Sequence, residues 1–165
     1  MENVVLLELF LPKRIAERLK KESERVGASE EELVVKILSE TLGESLDPDT
    51  SCELHLKLSE KYLREAEEFL AKGDYVQASE KAWGAAAQIV KALAAKEGRE
   101  LRSHGELHRY VSKLGSERDD REISRLWLSA VSLHQNFYEN WLPGEVVKEG
   151  VESVKEFVEK LRKLL

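Results

Sequence analysis

GDYVQASEKAWGAAAQIVKALAAKEGRELRSHGELHRYVSKL, from Gly73 to Leu114, is the stretch whose reading decides the fold. Ala78, Ala82, Ala85, Ala86, Ile89 and Leu93 recur at helical spacing and predict one long helix that stops at Gly98. Trp83 sits in its middle beside Gly84 to Ala87, whose small side chains let another helix approach closely. Trp83 therefore reads as a core or interface anchor, in preference to a stacking platform for a cofactor. Lys81, Gln88 and Lys91 lie along the same helix and are expected to be solvated. A Gly/Arg loop then carries Arg102, Ser103 and His104 to the mouth of a short helix, which Leu107, Tyr110, Val111 and Leu114 mark and Gly115 ends.

The helical pattern extends in both directions. Leu54, Leu58, Tyr62, Ala66 and Phe69 line a helix that stops near Gly73. Ile123, Leu126, Trp127, Ala130, Leu133, His134 and Phe137 line another, and Pro143 opens the last, with Val147, Val151, Val154, Val158 and Leu161 facing inward. Short connections make neighbouring helices antiparallel, so residues 51–165 are expected to form a helical bundle of four long helices and a short one. Glu44 to Thr50 reads as a polar linker, with Thr50 and Glu53 as the capping box of the helix that follows.

Ahead of the linker the pattern changes. Val4 to Leu11 (VVLLELFL) has the length and branching of a β-strand and ends at Pro12. Ile15, Leu19 and Val26 mark a helix closed by Gly27. Ser29 with Glu32 caps a second helix, with Leu33, Ile37, Leu38 and Leu42 on one side before Gly43. One strand and two helices cannot bury a core alone, and a lone strand leaves its backbone unpaired. Residues 1–46 are therefore expected to be a dimerisation arm whose strand pairs with its twin in a second chain. The fold class is mainly α, a bundle preceded by a strand–helix–helix arm.

Composition sets the limits. The 165 residues are 35% charged and 7% aromatic, with a formal net charge of −6. Most of that charge sits in the first fifty residues, where 7 basic face 12 acidic side chains. A strongly basic nucleic-acid face is thereby excluded. Many Lys and Glu beside one Cys and one Met also suit a thermophile. Cys52, the single cysteine, leaves no internal disulfide and fits a reducing cytoplasm. With no long apolar run and no cleavable signal after Met1, a soluble cytoplasmic protein without a membrane span is expected.

The string FLPKRIAERLKKESERVGASEEELVVKIL, within residues 4–44, resembles the ribbon-helix-helix family. In that family a two-stranded ribbon makes the dimer and its outward side chains enter the DNA major groove. Here the outward set is either Leu6, Glu8 and Phe10 or Val5, Leu7 and Leu9, and neither can read a base edge. The resemblance therefore implies dimerisation more than a DNA-binding regulator.

Leu56 to Ala94, the RSHGEL loop (Arg102 to Leu107) and HQNFYENWLP (His134 to Pro143) resemble the archaeal PaREP-type family, one of the HEPN-like helical bundles. The resemblance implies an antiparallel and dimeric bundle. Some HEPN-like proteins bind nucleotides and others are ribonucleases of toxin–antitoxin or defence systems. The ribonuclease members carry an Arg a few residues ahead of a His near the end of a core helix. In this chain His134 and Glu139 occupy the corresponding places. Arg99 with His104, and Arg102 with His108, repeat the spacing on a loop instead.

The candidate binding residues are Arg102, Ser103, His104, His134, Asn136, Tyr138 and Glu139. Ser103 and Glu106 form a capping box for the short helix, whose remaining N–H groups, together with Arg102, are able to hold an anion. His134, Asn136, Tyr138, Glu139 and Trp141 cluster polar aromatic chemistry at a helix end, as a hydrogen-bond network or a ligand cleft. His104 and His108 lack a third ligand, so no metal and no cofactor is expected. No other enzyme motif is present. The leading expectation is a non-catalytic dimer that binds a nucleotide, RNA or protein partner. A metal-independent endoribonuclease using Arg102, His104 and His134 is the alternative, with no catalytic residue firmly assigned.

Overall fold

The computed structural model describes residues 2–165, which form seven helices and no strand. Two belong to the arm, α1 (Lys13–Val26) and α2 (Glu30–Leu42). Five build the bundle: α3 (Pro48–Ala71), α4 (Tyr75–Lys96), α5 (His104–Glu117), α6 (Arg121–Glu139) and α7 (Gly144–Arg162).

The core forms around α4, which packs on α3, α5, α6 and α7. A helix in that position must be small and apolar on nearly every side, and 15 of its residues are buried, among them Ala82, Ala85, Ala86, Ile89 and Val90. Ser59 Oγ donates to the Ala85 carbonyl at 2.8 Å, which fixes α3 against α4. A Cβ on Gly84 would lie 3.1 Å from the Tyr62 ring, so the glycine sets how closely the two helices approach. From α6 and α7 come Ile123, Leu133, Val147, Val154, Phe157 and Leu161, all nearly inaccessible to solvent.

Helix ends follow local chemistry closely. Ser29 and Glu32 form a reciprocal capping box on α2, and Gly27 and Gly43 close α1 and α2 in the left-handed conformation. Two boundaries differ from the sequence expectation. The cap of α3 is Asp47, which accepts from the Thr50 N–H at 2.8 Å, not the pair Thr50 and Glu53. A carboxylate cap followed by Pro48 at the first helical position starts the helix one turn earlier. Helix α5 also runs through Gly115 to Glu117. There the missing side chain serves packing, because a Cβ would stand 3.2 Å from the Asp120 carbonyl and 3.3 Å from Ser124 Oγ at the start of α6.

The N-terminal strand is the main correction. Residues 4–11 carry no regular structure, and Val5, Leu6, Leu7, Leu9 and Phe10 are exposed, Phe10 completely. A strand exists only through its ladder of backbone bonds, and nothing else among the described residues offers this run a second strand. Its start lies beside α3, where the Asn3 N–H donates to the Glu53 carboxylate at 2.8 Å.

Helices α1 and α2 pack on each other, and among the described residues their backbones approach no bundle helix closely. They reach the bundle through side chains such as Glu31, bonded to Tyr62, and Glu32, bonded to Gln88 and Lys91. Among the described residues no helix is long and apolar enough to cross a membrane.

Candidate functional site

The gap between arm and bundle is a cleft of about 240 Å³. One wall comes from the end of α1 and the start of α2 (Lys20, Ser23, Glu24 and Gly27 to Glu32), the other from α3, α4, α5 and α6. Ten of its residues can carry charge or titrate as imidazole, so its polar groups decide its character.

At one end a continuous polar chain joins the arm to the core. His55 Nδ1 and Gln88 Oε1 are 2.6 Å apart, and Gln88 Nε2 donates to Glu32 Oε1 at 2.5 Å. Lys91 Nζ donates to both Glu32 oxygens, at 2.8 and 3.1 Å, and the Ser29 N–H adds a bond at 3.0 Å. Glu32 thus completes the α2 capping box and an ion pair in the same carboxylate. Burial opposes its charge, yet the Lys91 ammonium and the Ser29 N–H hold the carboxyl below its ordinary value. Burial also lowers His55, which keeps it neutral as a donor through Nδ1. Next to this chain, the Tyr62 hydroxyl donates to Glu31.

The expectation that Lys81, Gln88 and Lys91 are solvated is corrected here. Gln88 and Lys91 are buried, and Lys81 is half-buried and paired with Glu65 at 2.9 Å. The packing of α4 on several neighbours leaves the helix no solvated face along this stretch. A signal was present in the sequence: two polar residues three apart inside an otherwise apolar run demand a partner when that run is buried.

The other end is aromatic. The His134 ring stacks on Trp83 with centroids 4.6 Å apart, and the His104 ring stands edge-on to both, at 4.9 Å from His134 and 5.5 Å from Trp83. Tyr138 meets His134 edge-on at 5.4 Å, and Trp127 meets Trp83 at 5.2 Å while donating Nε1–H to His108 at 3.0 Å. Trp83 is therefore a core anchor that also forms part of the cleft. Burial, reinforced by the nearby His104 and His108, brings His134 down to about 4, and burial lowers His104 as well. Both imidazoles are uncharged near neutrality. His134 Nδ1 is buried with no hydrogen-bond partner among the described residues.

Of the residues singled out by sequence, His104, His134 and Tyr138 meet at the cleft. Arg102 is exposed and pairs with Glu100 at 3.2 Å, while Ser103 Oγ accepts from the Glu106 N–H at 3.2 Å as the α5 cap. The Glu106 carboxylate accepts from the Arg102 N–H, placing an acidic side chain at the helix mouth. Asn136 is buried and structural: it donates to Ser79 Oγ at 3.0 Å and accepts from the Trp141 and Leu142 N–H groups at 3.0 and 2.8 Å. Glu139 is exposed, outside the cleft lining. Sequence reasoning gave Glu32 only a capping role, took Gln88 and Lys91 as solvated, and passed over Glu80.

A family model described as the archaeal PaREP1/PaREP8 family matches residues 54–158. A protein of Sulfolobus solfataricus, known from a crystal structure, is similar at 35% identity and a TM-score of 0.57, over 64% of this chain and 94% of that one. No curated protein matches.

Proposed function

The chain belongs to the archaeal PaREP1/PaREP8 family, and we propose that this member acts by binding, not catalysis, as a dimer built through its N-terminal arm. One observation carries this reading, the inverted polarity of the arm. Its polar side chains Glu31 and Glu32 turn inward to the bundle, while Ile15, Ile37, Leu38 and Leu42 face solvent beside the bare run of residues 5–11. Apart from Leu128, Tyr138, Trp141 and Val146, every exposed large apolar residue precedes position 47. A patch of that kind marks an interaction surface. The occupant is a second copy, because two such runs complete each other's ladders and bury both apolar faces, as the ribbon-helix-helix resemblance implies. Sedimentation of the full chain against a variant lacking residues 2–11 tests it. The full chain is expected as a dimer, and the truncated chain as monomer or aggregate. An unchanged dimer after truncation removes the arm from the seam, and a monomeric full chain removes the proposal.

The bundle itself reads as HEPN-like, with a nucleotide, an RNA or a protein as the third component. Among these the acidic cleft favours a protein partner over phosphate-bearing ligands, since a carboxylate-lined surface repels phosphate.

The ribonuclease reading has one observation in its favour. His104 and His134 are paired neutral imidazoles in a cleft, a pair suited to giving and taking protons. It requires metal-independent RNA cleavage that His104→Ala or His134→Ala abolishes. Absence of cleavage, or cleavage that survives both changes, disposes of it.

A further inference from the structure

The cleft holds more carboxylate than its own cations neutralise. Lys91 is committed to Glu32 at 2.8 Å and Lys81 to Glu65 at 2.9 Å. Glu24, Glu30 and Glu80 also line the cleft, and among the described residues none of the three forms an ion pair. Only Lys20 remains to face them. Glu80 bears the largest consequence. Burial raises its carboxyl above the ordinary value, Lys81 and Lys20 fail to offset this, and Glu24 and Glu30 add to it. A half-buried carboxylate without an ion-pair partner is stabilised in its charged form when a cation arrives.

A second feature meets the first. Tyr138 lies at the same end of the cleft, 63% exposed, at the outer end of the stack that runs through His134 to Trp83. Tyr138 follows His134 by one turn of α6 and Glu80 precedes Trp83 by one turn of α4; the His134–Trp83 stack and the Asn136–Ser79 bond lay these two stretches side by side, and Glu24 lines the same cleft. An aromatic face beside carboxylates is the chemistry that holds organic cations. The neighbouring His104 and His134 imidazoles, neutral for the reasons given above, add no repelling charge.

Resting on the reading of the cleft as a binding site, we propose that its open end binds an alkylammonium group, held between the Tyr138 ring and the carboxylates of Glu80 and Glu24. The same charges disfavour phosphate-bearing ligands. A free amine and a lysine side chain of a partner protein offer the same ammonium, and the size of the cleft, about 240 Å³, accommodates either.

Calorimetric titration of the full chain distinguishes these sources. The probes are 1,4-diaminobutane, a lysine peptide blocked at both ends, and adenosine monophosphate as the anionic comparison. The expected result is saturable amine binding that weakens at least about tenfold in Glu80→Gln and in Tyr138→Ala, the scale of losing one charge-assisted or cation–π contact. Tighter binding of the diamine assigns a free amine, and tighter binding of the peptide assigns a partner's lysine. Absence of saturable amine binding overturns the proposal, as does amine binding indifferent to both substitutions or preferential binding of the nucleotide. Thermal unfolding of each variant separates loss of the site from loss of the fold. Tyr138 is largely exposed, so Tyr138→Ala keeps the test valid even where Glu80→Gln is unstable. Dimerisation, read by sedimentation in the same samples, stands or falls separately.

Discussion

Lys91 Nζ stands 2.8 Å from Glu32 Oε2, an ion pair between side chains 59 residues apart in the chain. It links the arm directly to the bundle, whose helix backbones do not touch those of the arm across the cleft. Gln88 Nε2 and the Ser29 N–H also donate to the Glu32 carboxylate, and such added hydrogen bonds offset part of the cost of burying the charges.

Lys91→Met is expected to release the arm. Removing the ammonium leaves the Glu32 carboxylate without a counter-charge, which costs about 3–5 kcal/mol when such a group stays buried. The arm swinging into water avoids that cost. Hydrogen exchange should rise at least about tenfold across α2 while α4 stays protected. Adding Glu32→Gln should restore part of the protection. Equal exchange in the native chain and in Lys91→Met refutes the latch.

Gly150→Ala is expected to destabilise the bundle by about 1–3 kcal/mol, the usual cost of overpacking. A Cβ there would lie 2.9 Å from Leu133 Cδ2 and 3.1 Å from its Cγ, and Leu133 is itself buried. Leu133→Val in the same chain should recover part of the loss, measured by thermal unfolding.

Asn136→Ala should cost about 1–3 kcal/mol for each buried group it strands. The Trp141 and Leu142 N–H groups lose their acceptor, while Ser79 Oγ keeps its bond to the Tyr75 carbonyl. Asn136→Asp keeps the acceptor and should be the milder change in denaturant titrations.

Acid should loosen the aromatic end first. His134 is held at about 4 against an ordinary 6.5, so between these values the folded chain binds fewer protons than the unfolded one. Its stability is therefore full above about pH 6.5 and is lost as the pH falls toward about 4. His104 and His55 are lowered too and act in the same direction. His134→Asn should flatten this acid limb, and an unchanged slope would falsify the assignment.

Ile37→Lys should leave the bundle's unfolding temperature nearly unchanged, since Ile37 is about half exposed on the arm and no part of the bundle core. The same change should abolish self-association in sedimentation. A dimer that persists would place the seam elsewhere.

Much of the fold was legible because helices are written in local spacing. The alanines of α4, the Ser29 and Glu32 box and the closing glycines each act through neighbours within one turn. Gly115 misled for the opposite reason, since its role is to admit Asp120 and Ser124 from the next helix. Residues 4–11 are apolar and branched, but the strand expected there does not form, because a strand needs a ladder of backbone bonds that nothing among the described residues supplies. In the site, His104, His134 and Tyr138 were visible as chemistry, while Gln88 and Lys91 were taken for surface residues.

By itself, then, the sequence determined which segments are helical, most of their ends, and the family to which residues 54–158 belong. Tertiary structure alone decided which polar groups are satisfied. It joined Glu32 to Lys91 and Gln88, stacked His134 on Trp83, and left Glu80 without an ion-pair partner among the described residues. The difference is physical: helix formation depends on contacts within a few residues, whereas burial and pairing depend on which helix faces meet.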